Sequence, residues 1–266
     1  MNLGTRAILY TARKWKKTLL IFFLLLSITT LVLSGLAIAD AQEEQTEEVR
    51  GTTGASFTVE RDISTGGWTS GYSTQEFISD EMLQEIASVD GIAGYDASIV
   101  SMPYYFKETG DSVVTTGYTN SFYTYGSINT EYNDLFVSGR FELVEGSHIT
   151  EDMTNGLIIS RERAEQNGLK VGSKVVGIND PYTDDPEVDM EIVGIFEVVA
   201  DKNDEATMYD ASTMWDFSNY AFCSKTAMEA MCVNYGDGNK IQEADFYVTD
   251  AAQLESVINE VQSISS

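Results

Sequence analysis

One long apolar run near the N-terminus constrains this chain more than any other feature of its sequence. Residues 18–39 read TLLIFFLLLSITTLVLSGLAIA and include no charged side chain. A helix of this length measures about 33 Å, which is enough to cross a hydrocarbon core of about 30 Å. A charge inside the run would cost roughly 2.5–3.5 kcal/mol on insertion. The run therefore predicts one membrane-spanning helix.

The charges on either side of this run predict its orientation. Residues 1–17 contain five basic side chains and no acidic one, whereas Asp40 and several glutamates follow the run. Because positive flanks stay in the cytoplasm, residues 1–17 are predicted to be cytoplasmic and the chain after Asp40 extracytoplasmic. A cleaved signal peptide is the alternative, since Ala37-Ile38-Ala39 fits a cleavage site. We prefer a retained anchor, because an apolar signal core has only about 7–15 residues.

The remaining chain is strongly acidic. The whole sequence carries a formal charge of −26, and setting aside the five basic residues of 1–17 leaves −31 for residues 18–266. This charge argues against a nucleic-acid partner, since phosphate binding needs clustered Lys and Arg. Solubility outside the membrane is the simplest explanation of the charge, and attraction of cations or cationic peptides is the second.

The first part of the extracytoplasmic region predicts a β-α-β-β unit. Residues 40–54 are polar and are predicted to be a tether or a helical extension of the anchor, and the alternation in 56–61 predicts a strand. Ser79 is a candidate N-cap for a helix with apolar residues at helical spacing. Residues 97–106 then predict a strand, followed by a turn and by a hairpin partner at 112–119.

The middle and the end of the region predict further strands and helices. GLIIS at 156–160 is predicted to be a buried strand, followed by a helix that starts at Ser160 and stops at Asn167-Gly168. Two more strands are predicted at 169–178, across a turn, and at 190–199. Near the C-terminus, 244–250 predicts a strand, and Asp250 with Gln253 fits a capping box before an amphipathic helix. The two end units are expected to pair as one subdomain around an inserted β-rich middle section.

Three stretches of this sequence resemble one known family. The strongest is the run VSGRFELVEGSHITEDMTNGLIIS followed by RERAEQNGLKVGSKV and, further on, MEIVGIFE. The others are the basic residues 13–17 directly before the apolar run and the final strand and helix at 244–264. Together they resemble the MacB/FtsX-like permease subunits of ABC transporters, with their extracytoplasmic core domain. Ser147 departs from the pattern, since many members have Arg at that place.

The resemblance implies an α+β extracytoplasmic core domain at 55–266 with two lobes. A porter-like βαβ lobe would comprise about 55–118 and 240–266, and an inserted small β-rich α/β lobe about 135–235. The family also implies a second permease copy in a dimer, a separate cytoplasmic ABC ATPase, and export of lipids or peptides, or a relayed signal. Three more membrane helices would follow Ser266 in the family pattern, so the sequence is interpreted as part of a longer permease, a truncated gene or half of a split permease.

The sequence predicts no enzymatic activity, and we assigned it no catalytic, cofactor or metal residues. The stretch Gly168–Lys174 has the wrong spacing for a phosphate-binding loop. His148 lacks a second His or a spaced Cys that would complete a metal or catalytic set. A hydrolase has no nucleophile and base to support it. A stand-alone, membrane-anchored extracellular binding or adaptor domain is the alternative function to a permease.

Several local features remain open at the level of sequence. Cys223 and Cys232 are either bridged or, as we prefer, two free or buried thiols. The acidic loops 180–189 and 201–205 either bind calcium or, as we prefer, are solvated. The aromatic groups Tyr104-Tyr105-Phe106 and Phe122-Tyr123-Tyr125 either form a contact patch for a peptide or lipid or reflect alternation in strands.

Overall fold

The structure is a computed structural model, and its chain divides into two compact units, 1–52 and 53–266. The described residues are 16, 19, 22, 24–26, 28–30, 55–60, 77–116, 120–199, 216–236, 240–241 and 243–264. The two units are treated separately below. The predicted tether at 40–54 and the acidic loop at 201–205 lie outside the described residues.

In the first unit, the described residues between 16 and 30 are helical and exposed. The hydroxyl of Thr29 donates to the carbonyl of Leu25 at 2.9 Å, and that of Thr30 to the carbonyl of Leu26 at 2.8 Å. Such bonds satisfy hydroxyls on a helix without water. Within the described part of the chain, no helix combines the length and the apolarity needed to cross a membrane. Most of the predicted span 18–39 lies outside that part.

The described ranges of the second unit contain ten strands and five α-helices. The strands are β1 Ala55–Glu60, β2 Ile92–Ser101, β3 Tyr104–Lys107, β4 Tyr123–Ser127, β5 Phe141–Gly146, β6 Gly156–Ser160, β7 Lys174–Ile178, β8 Val188–Val198, β9 Tyr220–Ser224 and β10 Glu243–Val248. The helices are α1 Asp80–Ala87, α2 Asp134–Val137, α3 Arg161–Asn167, α4 Lys225–Met231 and α5 Leu254–Ile264. A mixed α/β fold follows, as the sequence predicts.

One mixed sheet joins all ten strands. Its order is β1-β10-β2-β4-β9-β6-β8-β7-β3, and β5 pairs with β8 off this path. Most neighbours are antiparallel, whereas β4 with β9 and β6 with β8 are parallel. The order puts the last strand between the first two, so the two ends of the domain pair as predicted. The division into two lobes stays a prediction.

The predicted helix and turn signals at three positions are confirmed. The Ser79 hydroxyl accepts the N–H of Met82 at 3.2 Å and so caps α1. The Ser160 hydroxyl accepts the N–H of Arg163 at 3.2 Å, and Gly168, with φ of +66°, ends α3 in the left-handed conformation. Each cap satisfies a backbone group that a helix leaves unpaired at its end.

The predicted hairpin at 97–119 is confirmed only next to its turn, where Val113 N–H donates to the Tyr105 carbonyl at 2.7 Å. The strand expected over 97–106 is broken before Pro103, whose ring removes the backbone N–H and fixes φ, and the chain continues as β3 in another part of the sheet. There β3 pairs with β7. Within the described ranges, the expected partner segment contributes an isolated bridge between Phe106 and Ser112 instead of a strand. The turn itself is correct, since Lys107 N–H donates to the Asp111 carbonyl at 2.8 Å.

Alternation along the strands sorts the side chains onto two faces of this sheet. On β10, Ala244 and Phe246 are buried in the main core, which also takes in buried residues of α1 and α5 such as Leu83 and Val257. Their neighbours on β10 point to the opposite face, because successive strand residues alternate. On that face, a smaller core of aromatic character covers the middle strands; its buried members are Leu135, Phe141, Ile149, Ile158, Phe196, Tyr220 and Phe222.

Candidate binding groove

His148 makes a hydrogen-bond contact and a ring contact within the domain. Its Nδ1 is 3.0 Å from the hydroxyl of Thr130, and its ring packs edge-on against Phe136 at a centroid distance of 5.0 Å. The same hydroxyl accepts the N–H of Ile149 at 3.0 Å. Partial burial lowers the pKa of His148, and the charge of Glu131 opposes that shift. No group of three or more potential metal ligands occurs among the described residues.

The acidic loop at 180–189 uses part of its acid groups to hold its own backbone and neighbouring amides. Asp180 accepts the N–H of Tyr182 at 2.8 Å, which is a local turn contact. Asp185 accepts from the side-chain amides of Asn179 at 3.3 Å and Asn234 at 3.2 Å. These bonds tie the loop to the end of β7 and to the segment after α4.

Cys223 and Cys232 are both buried and both free thiols. Cys223 lies on β9 and Cys232 follows α4, and both face the main core. Burial raises the pKa of each thiol, so the neutral form is favoured. Low thiolate content makes both thiols poor nucleophiles. The preferred interpretation of two buried thiols is therefore confirmed.

The two aromatic groups of the sequence do not form one patch. Tyr105 and Phe122 are fully buried and meet edge-on at 5.3 Å in the main core. Tyr123 and Tyr125 lie on the opposite face and are only partly buried. Strand alternation explains this separation, as the sequence allowed. Of the two groups, Tyr123 and Tyr125 are the ones that line an open groove.

This groove has a volume of about 440 Å³ and lies on the face of the sheet opposite the main core. Strands β10, β2, β4 and β9 form its floor, and α2 with the segment after it forms a wall. Its lining residues are Ser98, Val100, Tyr123, Tyr125, Asn133, Asp134, Leu135, Arg140, Phe217, Tyr220, Glu243 and Asp245. We call it the acidic–aromatic groove. A pocket that combines apolar walls with a few convergent polar groups is the usual form of a ligand site.

Register explains why acidic and aromatic side chains share this floor. Glu243 pairs with Ser98 across β10 and β2, while Val100 pairs with Tyr125 across β2 and β4. Paired residues and those two positions apart point to the same face of a sheet. One end of the floor is therefore acidic and the other apolar and aromatic. Val100 is 44% exposed at their junction.

The aromatic end of the groove is closely packed. The ring of Tyr125 stacks on Phe222 at 5.5 Å and meets Tyr123 edge-on at 5.5 Å. Tyr123 lies 4.8 Å from Tyr220, which in turn meets Phe217 edge-on at 5.1 Å. Ring pairs at such distances add about 0.5–1.5 kcal/mol each beyond buried area. This end therefore offers a rigid apolar surface.

The acidic end of the groove is electrostatically strained. Partial burial raises the pKa of Glu243, and the neighbouring charges of Asp245, Glu60 and Asp134 raise it further. Burial also raises the pKa of Asp245, whose carboxylate accepts the hydroxyl of Thr58 at 2.6 Å. Among the groove's lining residues, three carboxylates face a single guanidinium, that of Arg140. The fold thus gathers negative charge here at a cost in stability.

A buried carboxylate holds the wall of the groove in place. Asp96 on β2 is 3% exposed, and one of its oxygens accepts the hydroxyl of Ser127 at 2.6 Å and the N–H groups of Ile128 at 2.9 Å and Asn129 at 3.0 Å. Its other oxygen accepts the amide of Asn133 at 2.9 Å. Burial raises the pKa of Asp96, and these four bonds oppose the shift. Asn133 caps α2, so Asp96 positions this wall.

Neutralising one groove carboxylate should stabilise the domain. We expect Glu243→Gln to raise the thermal midpoint at pH 7.5 by about 1–2 °C, because a screened repulsion at a half-exposed site is worth about 0.5 kcal/mol. The pKa of Glu243 is higher in the folded state than in the unfolded state. The wild type therefore gains stability as the pH falls from the folded-state pKa to the unfolded-state pKa. The difference in thermal midpoint between Glu243→Gln and the wild type should therefore vanish as the pH falls below about 4.3. Differential scanning calorimetry at both pH values checks this.

Glu255→Gln is the matched control, since Glu255 is an exposed acid on α5 at the opposite face of the sheet. Its midpoint should change by less than about 0.5 °C at either pH. A lower midpoint for Glu243→Gln at pH 7.5 would mean that the Glu243 carboxylate stabilises the fold, contrary to the repulsion inferred from its neighbours.

The sequence did not single out the acidic residues of the groove. Glu243 and Asp245 lie in the predicted strand at the end of the domain, and Asp134 and Arg140 flank a short helix. Alternation of E-A-D-F-Y in β10 was the available signal, since it places two acids on one face. Only pairing with β2 and β4 shows which aromatic residues share that face.

The fold of the domain has a counterpart among solved structures. The periplasmic region of MacB from Actinobacillus actinomycetemcomitans has the same fold, with a TM-score of 0.50 and 14% identity, over 82% of this chain and 87% of that one. The extracellular domain of YknZ from Gram-positive bacteria aligns with a TM-score of 0.45 and 15% identity, over 76% of this chain and 88% of that one.

Sequence comparison finds similarity to an ABC transporter permease. The chain is 25% identical to the uncharacterized ABC transporter permease YclI of Bacillus subtilis (strain 168), over 305 aligned positions that cover 100% of this chain and 60% of YclI. The chain thus spans 60% of the length of that relative. No family model matches the chain. The resemblance to the MacB/FtsX-like permeases is confirmed to this extent: the chain is similar in sequence to an ABC transporter permease and shares its fold with the periplasmic region of MacB.

Proposed function

We propose that this chain supplies the first membrane helix and the extracytoplasmic domain of an ABC transporter permease. In this role the domain couples a separate cytoplasmic ATPase to export, or to mechanical signalling, across the membrane. ATP hydrolysis belongs to the ATPase, so no catalytic chemistry is assigned to this chain. The observation that carries the proposal is similarity to a permease over the full length of the chain.

The proposed location is the plasma membrane, with residues 1–17 in the cytoplasm and residues 55–266 outside. The uncharged run 18–39 and the basic residues before it support this topology. The proposed partners are an ABC ATPase, a second permease copy or a homologous permease, membrane lipid, and a peptide or lipid substrate.

A stand-alone, membrane-anchored binding or adaptor domain is the second candidate. The acidic–aromatic groove favours it, since such a groove could hold a ligand without any transport step. The two candidates differ in their partners. A permease needs an ATPase at the cytoplasmic side, whereas an adaptor does not.

The ATPase partner gives the decisive test. We expect an affinity-tagged full-length gene product, expressed at native level and purified in mild detergent from its own cells, to retain an ATPase that carries a phosphate-binding loop. Quantitative mass spectrometry against an untagged strain measures the enrichment, and a tagged unrelated membrane protein controls for abundance. Repeated purification without such an ATPase would contradict the permease proposal and leave the adaptor candidate.

A further inference from the structure

The acidic–aromatic groove combines two kinds of surface that one ligand can contact together. Its acidic end contains Glu243 and Asp245 on β10, with Asp134 on the wall. Its apolar end contains Tyr125 on β4 and Val100 on β2, a large apolar side chain that is 44% exposed. Exposed apolar side chains that adjoin one another often mark an interaction surface, whereas a single exposed apolar side chain is normal.

The spacing between the two ends sets the size of the ligand. From β10 to β4 there are two strand spacings of about 4.8 Å, and the register offset adds two residues along the strands. The backbone of Glu243 therefore lies about 12 Å from that of Tyr125. An extended peptide rises about 3.3 Å per residue and its side chains alternate between two faces, so two side chains on one face can meet both ends when they are four residues apart.

The charge of the groove selects the sign of the ligand. Three carboxylates against one guanidinium attract a cation, and the chain as a whole carries −26. An acidic ligand or a phosphate would be repelled by the groove carboxylates and by the net charge of the chain. A small organic cation would fill the acidic end without reaching Val100 and Tyr125. A ligand that carries both a cationic and an apolar group uses the whole groove.

We propose that the acidic–aromatic groove binds a short basic peptide segment. A Lys or Arg side chain of that segment lies against Glu243 and Asp245, and an apolar or aromatic side chain four residues along packs on Val100 and Tyr125. Binding at this site does not depend on whether the domain belongs to a permease or acts as an adaptor.

The raised pKa values at the acidic end agree with this assignment. Repulsion among Glu60, Asp134, Glu243 and Asp245 destabilises the free domain, and a bound cationic side chain would relieve that repulsion. Charge clusters kept at a cost in stability are common at binding sites. Removing this charge is therefore expected to stabilise the free domain and to weaken peptide binding. A purely structural role of Glu243 would not produce both effects.

Binding is tested with the full chain in lipid nanodiscs and the peptide acetyl-Ala-Lys-Ala-Ala-Ala-Phe-Ala-amide, by isothermal titration calorimetry at low ionic strength. We expect a Kd below about 1 mM, and weaker binding as salt rises. The double variant Glu243→Gln/Asp245→Asn should weaken binding at least about tenfold. Its fold is not at risk, because both changes keep side-chain size and remove repulsion.

The matched control is Glu255→Gln/Glu260→Gln, which removes two exposed acids from α5 on the other face. Because net charge changes equally in both double variants, only a local contact makes them differ. We expect the control to weaken binding less than about twofold. Equal weakening by the two double variants would show a general attraction to the acidic surface and would overturn the proposal.

The apolar end has its own test. Val100→Thr keeps the shape of the side chain and makes its surface polar, so it should weaken binding about two- to fivefold. The same variant should have no further effect on a peptide with Ala in place of Phe, since the contact is then already lost. Unchanged binding by Val100→Thr, or equal binding of a peptide with Glu in place of Lys, would contradict the assigned orientation and overturn the proposal.

Discussion

Asp96→Ala is expected to lower the thermal midpoint of the extracytoplasmic domain by about 10 °C at pH 7. The substitution leaves four buried donors without their acceptor: the Ser127 hydroxyl, the backbone N–H groups of Ile128 and Asn129, and the Asn133 amide. Each unsatisfied buried donor costs about 1–3 kcal/mol, and removing a desolvated carboxylate returns part of that. A net loss of about 3–4 kcal/mol corresponds to the stated shift.

Asp96→Asn is the matched control for this prediction. Three of the four donors bond to one carboxylate oxygen, which the Asn oxygen can replace, and only the Asn133 amide then meets another donor group. We expect less than half the destabilisation of Asp96→Ala, measured by calorimetry on the full chain. Equal losses for the two variants would mean that the negative charge matters and not the acceptor geometry. A loss below about 1 kcal/mol for Asp96→Ala would show that the network adds little.

The Asp96 network also links stability to the groove. Asn133 caps α2, and α2 carries Asp134 and Leu135 into the wall of the groove. Loosening this wall should weaken peptide binding even though Asp96 itself lines no part of the groove. Asp96 is in this sense a positioning residue.

Gly146→Ala is expected to destabilise the domain by about 3 kcal/mol and to lower its thermal midpoint by about 6–12 °C. Gly146 has φ of +81°, where an L side chain costs about 1–2 kcal/mol. An added Cβ would lie 2.0 Å from the carbonyl oxygen of Val193 on the neighbouring strand β8. Because that oxygen belongs to the backbone, β5 would have to move away from β8, at a further cost of about 1–3 kcal/mol.

Gly110→Ala separates the two parts of that cost. Gly110 has a similar φ of +86°, yet an added Cβ would meet nothing within 4 Å. Its substitution should therefore cost only the conformational part, about 1 kcal/mol. Thermal unfolding of both variants measures the difference, which reports the contact with Val193. Similar midpoints for the two variants would mean that β5 and β8 accommodate the methyl group without strain.

Local signals in the sequence located most elements of the domain. Ser79, Ser160 and Gly168 marked helix ends correctly, because capping depends on the residue at the boundary and on little else. Continuous or alternating apolar runs located β6, β8 and β10 for the same reason. The segment that forms β9 and α4 was not assigned, since its apolar residues run without a clear period through both elements.

Pairing between distant strands lay beyond the reach of these signals. Residues 97–106 have the composition of one strand, but Pro103 interrupts the ladder, and β3 pairs along its length with β7, while the segment after its turn adds one isolated bridge. The groove depends on the same kind of information. Glu243, Val100 and Tyr125 are far apart in sequence, and only their register in the sheet puts them on one face.

The sequence by itself determined the uncharged N-terminal run, the acidity of the rest of the chain, the ends of several helices and the resemblance to one family of permeases. Each of these depends on the chemistry of neighbouring residues, so it can be recognised within a short window. The tertiary structure decided which strands are neighbours, which aromatic residues are core and which line the groove, and where four acidic side chains meet. Those outcomes depend on register, because a shift of one residue would move every side chain of a strand to the opposite face.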